Sequence, residues 1–232
     1  EITNDHIEWA KFSGASWLGD GFYYSAYDRP TEGKEFSNVN AGMKIYYHKI
    51  GTPQSDDELF FQNPAEPMRF YDIEVNEEET LMYLLEAGAG AGNNLYVRDL
   101  RKKDALFIQM TKDMDYQYSP LFNEGDCLYL YTNYGAPKGR IMTANIHQPG
   151  VNDWQVLVPE QQNVLSSASV IGRQLVLTYS QDACDHAFVY DLDGKLRHEV
   201  KLPMVGSVDF TGDEKEPECF YSFTSFTQPG TV

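Results

Sequence analysis

An all-β fold, a β-propeller, is predicted by three features of this chain. A strand phrase recurs five times, further strands follow each copy, and the spacing is about 40 to 60 residues per unit, the size of a four-stranded blade. Each phrase is an apolar anchor, a polar turn and a strand rich in aromatic and β-branched residues. The copies occupy residues 17–27, 75–85, 122–131, 170–179 and 210–223.

Taken in order, the first four copies each gain a second strand after a loop, at residues 44–48, 94–99, 140–145 and 186–191. A third follows at residues 58–61, 105–108, 154–158 and 197–202. The fifth copy supplies strands at Phe210 and Cys219, and the sequence reaches Val232 where the next strand should begin. Residues 1–9 read as the closing strand of an earlier blade. The expectation is therefore an incomplete arc, about four full four-stranded blades plus partial blades at each end, cut from a larger protein. An arc leaves sheet edges and blade faces uncovered, so self-association or lowered stability is expected.

Of the 232 residues, 42% are hydrophobic and 14% aromatic, enough to bury several layers between blades. No apolar run approaches membrane-spanning length and no leader pattern opens the chain. The net charge is −17, with acidic residues crowded into turns at residues 56–58, 77–79 and 213–216. Such a surface keeps a chain soluble and is a poor partner for nucleic acid or anionic membranes. Cys127, Cys184 and Cys219 are odd in number and widely spaced, indicating neither a disulfide framework nor a metal site. Cys127 and Cys219 fall in apolar strand phrases, where a thiol acts as a small hydrophobe. A reducing cytoplasm fits this usage, with the periplasm as the alternative.

Catalytic motifs are missing. No Gly-x-Ser-x-Gly elbow occurs, and residues 14–18 lack its second glycine. His6, His48, His147, His186 and His198 fall singly, reading as surface or edge histidines without metal-ligand spacing. The glycine-rich run at residues 86–93 lacks the Gly-Lys-Ser/Thr ending of a phosphate loop and reads as a flexible connection between strands, the kind of loop that can face a cavity. Arg140 reads as pinning its own loop, and Arg173 as a solvated turn residue. No cofactor and no metal are expected.

Specific phrases carry a family resemblance. Residues 11–17 (Lys-Phe-Ser-Gly-Ala-Ser-Trp), 22–27 and 44–57 are followed in one register by Glu66-Pro67, residues 94–96, residues 132–140, residues 154–160, residues 206–208 and residues 220–230. Together they resemble the propeller of prolyl oligopeptidases along essentially the whole chain. The resemblance implies a seven-bladed propeller gating an α/β-hydrolase domain with a Ser-Asp-His triad, in a serine peptidase that cleaves short peptides after proline. Residues 1–232 would be part of that propeller and the hydrolase domain its partner outside this chain, so no catalytic residue is expected here. The resemblance further implies that Phe12 lines the outer part of the peptide site. Phe70 and Ala89 stand where family members carry a methionine and a cysteine, and Glu86 with Ala87 where many carry a carbonyl-gripping arginine. The alternative is a non-catalytic interaction scaffold, although the Gly-His and Trp-Asp pairs of one large scaffold class do not recur. A glycan-active propeller would need inward carboxylates at matching blade positions, whereas the acidic residues cluster in turns.

Overall fold

The computed structural model describes residues 5–34, 37–227 and 230. The chain is all-β, with two short 3₁₀ turns among the described residues, and divides into two compact units, Glu1–Tyr116 and Gln117–Val232. No helix among the described residues is long and apolar enough to cross a membrane.

The first unit holds two four-stranded antiparallel sheets. One comprises β1 (Ser16–Leu18), β2 (Gly21–Ala26), β3 (Lys44–Lys49) and β4 (Glu58–Gln62) in that spatial order. The other comprises β5 (Phe70–Val75), β6 (Leu81–Ala87), β7 (Asn93–Asp99) and β8 (Ile108–Gln109). Tyr23 and Ile45 of the first sheet pack with Tyr71, Ile73, Met82 and Leu84 of the second, with Met43 filling the same core. The period of two along β5 sends Tyr71 and Ile73 into this core and leaves Phe70 and Glu74 exposed.

The second unit repeats the arrangement. Its first sheet comprises β9 (Tyr118–Glu124), β10 (Cys127–Thr132), β11 (Arg140–Asn145) and β12 (Gln155–Val158). The next comprises β13 (Val164–Ile171), β14 (Gln174–Gln181), β15 (Cys184–Asp191) and β16 (Leu196–Val200). A two-stranded sheet, β17 (Ser207–Gly212) and β18 (Cys219–Thr224), completes the described strands. Leu175, Leu177 and Tyr179 of β14 pack with Phe122, Tyr129 and Ile141, while Ala187 of β15 packs with Val208 and Phe223. A sheet covered on both faces explains why β14 is buried without a break from Leu175 to Tyr179 and the outermost strand β16 is largely exposed.

Four full sheets match the four predicted units, with three differences. The strand expected at residues 105–108 forms only at Ile108–Gln109, because Asp104 takes a left-handed turn and Leu106 points to solvent. Residues 1–4 of the expected closing strand lie outside the described residues, and residues 5–9 form no strand. Instead Tyr27 donates its N–H to the Trp9 carbonyl and Ala10 bridges Ala26, so the segment extends the first sheet beside β1. Cys219 is exposed at the start of β18, unlike Cys127, which packs against a core; all three thiols are free. The outer strand of three sheets is offset by a bulge, after Ile45 and Ile141 near the start of β3 and β11 and after Val189 near the end of β15.

Candidate substrate-contact site

The segment before β1 cannot form a regular ladder, since Trp9 and Phe12 both hold positive φ values of 62° and 56°. Serine hydroxyls replace the missing ladder bonds. Ser25 donates its N–H to Ser13 Oγ at 2.7 Å, and its own hydroxyl donates to the Tyr71 carbonyl at 2.8 Å. Val75 donates its N–H to Ser16 Oγ at 2.7 Å. These bonds tie the segment to β2 and to β5.

Phe12 is thereby held out from the surface, 71% exposed, with its ring edge-on to Phe70 at 5.9 Å and 89°. Phe70 opens β5, is 38% exposed and pairs with Ala87. Two residues beyond Ala87 lies Ala89, exposed in the connection from β6 to β7. The structure thus brings Phe12 and Phe70 into contact and sets Ala89 at the same end of the second sheet. An exposed aromatic pair of this kind offers stacking area to an apolar group.

The glycine-rich connection is packed rather than loose. A Cβ at Gly92 would meet the Met114 carbonyl oxygen at 2.3 Å and the Tyr116 nitrogen at 2.6 Å. One at Gly88 would fall 2.4 Å from Arg69 Nη1. Glycine is required here for close approach.

Glu86, at the end of β6, is buried and accepts hydrogen bonds from Tyr96 Oη at 2.9 Å, Asn94 Nδ2 at 3.1 Å and Tyr71 Oη at 3.4 Å. Burial, and then the bond to Glu86, push the Tyr96 phenol up to about 12. Arg69 Nε stands 4.0 Å from Glu86 and 3.6 Å from Glu66. Sequence reasoning found no arginine in the connection; the fold delivers one from the residue before β5, through the register that sets Phe70 opposite Ala87.

His48 is not a surface or edge histidine. It is fully buried, with Nδ1 2.7 Å from Asp57 Oδ1 and Nε2 3.1 Å from Asp5 Oδ1. Tyr24 Oη donates to the same Asp57 at 2.7 Å, and Gly51 donates its N–H to Asp5. The other histidines fit the surface reading, His147 with Asp126 and His186 with Glu199 in exposed pairs. Arg140 makes no hydrogen bond to its loop, and its Nε is buried without a partner among the described residues, against the pinning role expected for it. Arg173 sits in a left-handed turn, half exposed as expected, paired with Glu124 and lying over the Phe122 ring.

Comparison with known proteins gives this end of the sheet a context. The family described as prolyl oligopeptidase, N-terminal beta-propeller domain, matches residues 1–232. The prolyl endopeptidase of Elizabethkingia meningoseptica is 37% identical over 224 residues, 96% of this chain and 32% of that protein. Prolyl oligopeptidase A of Amanita bisporigera is 29% identical over 244 residues, 98% of this chain and 32% of that protein. The chain thus spans about a third of the length of these curated relatives. A solved structure from a study of two prolyl endopeptidases superposes with a TM-score of 0.86 at 29% identity, covering 98% of this chain and 33% of that one. Prolyl oligopeptidase B from Galerina marginata, at 22% identity and a TM-score of 0.89, shares the fold. By repeat, sheet geometry and these matches, the chain belongs to the prolyl oligopeptidase family, in its N-terminal β-propeller domain.

Proposed function

We propose that this chain is the substrate-gating propeller segment of a serine peptidase that cleaves short peptides after proline. The partner in that reading is an α/β-hydrolase domain carrying the Ser-Asp-His triad, and Phe12, Phe70 and Ala89 contribute one wall of the peptide site. The carrying observation is the exposed Phe12–Phe70 pair, held in place by a strained segment and three serine-mediated bonds. Strained, over-determined backbone persists where the surrounding structure enforces it and clusters at ligand contacts.

The segment itself is non-catalytic in this reading. Support comes from the absence of an elbow motif and from the histidines' surroundings. Among the described residues, those with a polar side-chain partner face carboxylates and none faces a serine. The test is hydrolysis of a fluorogenic Gly-Pro peptide by this chain and by the full-length product of its gene. Cleavage by the full-length protein alone is expected. Cleavage by neither overturns the peptidase reading and favours an interaction scaffold; cleavage by the isolated chain overturns its non-catalytic role.

A further inference from the structure

His48 of β3 ties the segment before β1 to the body of the first sheet by two routes. Nε2 stands 3.1 Å from Asp5 and Nδ1 2.7 Å from Asp57, and the three side chains are 0%, 9% and 2% exposed in the order His48, Asp5, Asp57. The bond to Asp5 is the direct route, and Gly51 donates its N–H to the same carboxylate oxygen at 2.7 Å. The second route passes from Asp57 to Tyr24 Oη, which donates to it at 2.7 Å, and on to Gln54, whose Nε2 donates to the Tyr24 oxygen at 3.1 Å. Gln54 then clamps the Glu8 backbone, accepting its N–H at 2.9 Å and donating to its carbonyl at 3.0 Å. Phe12 lies four residues beyond Glu8, after the Tyr27 bond to the Trp9 carbonyl and the Ala10–Ala26 bridge. Ser13 and Ser16 hold the segment from the other side of Phe12.

The direct route depends on a proton. An imidazolium donates from both ring nitrogens and serves both carboxylates, whereas a neutral imidazole donates from one and presents a lone pair at the other. Asp57 is the closer carboxylate and is held by Tyr24 as well, so the neutral ring keeps Asp57 and turns its lone pair toward Asp5. Among the described residues the titratable groups facing the ring are Asp5, Asp57 and Tyr24, and the Phe22 ring of β2 lies 5.2 Å away. Burial pushes the Tyr24 phenol up, so it stays protonated while His48 titrates. Burial by itself would lower the His48 pKa, but the hydrogen bonds to Asp57 and Asp5 hold it above 6.5. The doubly bonded form is therefore complete at low pH and is lost as pH rises through the folded value.

We propose that His48 is a positioning residue for Phe12: its proton closes a clasp on the segment before β1, and opening the clasp weakens the hold on peptides that set an apolar side chain against Phe12. The proposal rests on the peptidase reading above and adds to it a pH dependence confined to that part of the peptide. By linkage, such a peptide and the proton favour each other's binding.

The test uses the full-length gene product and two reporter substrates, Gly-Pro and N-acetyl-Ala-Phe-Gly-Pro on the same fluorophore, compared from pH 6 to pH 9. Groups that titrate for both substrates cancel in the ratio of their KM values. In the wild type the KM of the longer peptide relative to Gly-Pro should rise by about fivefold over this range, with the kcat ratio unchanged. Asp5→Asn, whose amide can donate to an unprotonated Nε2, should hold the ratio at its low value throughout. His48→Gln should leave it flat at the high value. Hydrogen exchange of the Glu8 and Tyr27 N–H groups, corrected for intrinsic rates, reads the clasp without catalysis. Protection should fall from pH 6 to pH 9 in the wild type and persist in Asp5→Asn. A wild-type ratio independent of pH, or a rise that Asp5→Asn leaves unchanged, overturns the proposal while the peptidase reading stands. A rise that survives in Phe12→Ala overturns Phe12 as the group positioned. If the wild type cleaves neither substrate, the peptidase reading falls and the substrate half of the proposal with it, while equal protection at both pH values overturns the clasp itself.

Discussion

His48 shows how much a single residue's meaning depends on its surroundings. Burial by itself would push its pKa down; hydrogen bonds to Asp57 and Asp5 outweigh that and hold it above the ordinary 6.5. Tyr24 and Gln54 face the same cluster, and Tyr24 is itself pushed up by burial and by its bond to Asp57. A histidine whose folded pKa is raised stabilises the fold fully below about 6.5, and the contribution is lost as pH rises through the folded value. The wild-type chain should therefore lose more stability between pH 6 and pH 9 than His48→Gln, which carries no titrating group at this position. Thermal melts across that range check this, and parallel curves for the two proteins would contradict it. The site also anchors the segment before the first sheet, since Asp5 binds His48 and Gly51, and Gln54 exchanges two hydrogen bonds with the Glu8 backbone.

At the scale of elements, strands were legible from the sequence wherever burial on both sides left a stretch rich in apolar, aromatic and β-branched residues. Residues 174–179 and 186–191 fall within β14 and β15, and residues 140–145 coincide with β11. Short outer strands were legible in place but not in extent, because β8 and β16 carry few inward side chains to mark their ends. The innermost segment of the first sheet was not legible at all. Its order comes from hydroxyls acting as ladder acceptors, a role that no apolar period in residues 11–17 marks. Ser16→Ala leaves the Val75 N–H without its acceptor and should cost about 1–3 kcal/mol. Urea denaturation measures this; a change below about 0.5 kcal/mol, the size of an ordinary surface substitution, would remove Ser16 from the account.

For the molecule as a whole, the acidic surface and the exposed aromatics of β18 act in opposite directions. A net charge of −17 disfavours association, while Phe220 and Tyr221 stand exposed on β18, which pairs with β17 alone among the described strands. An open strand edge bearing exposed aromatics is a template for pairing with another chain. In sedimentation velocity the isolated chain should show a mass that rises with concentration, more steeply in high salt where charge repulsion is screened. Phe220→Lys should reduce the effect. A concentration-independent monomer under both conditions would count against β18 as a sticky edge.

The sequence by itself determined the all-β repeat, the four full sheets and the family, and it singled out Phe12 and Phe70, whose rings meet in the fold. These follow from periodic burial and from phrases long enough to be read in one register. The tertiary structure alone decided that Phe12 meets Phe70 edge-on, that His48 sits buried between two carboxylates, and that Arg69 reaches Glu86 at the end of β6. Those relations join residues 9 to 58 positions apart in the chain, so they depend on strand register and sheet packing rather than on any local pattern.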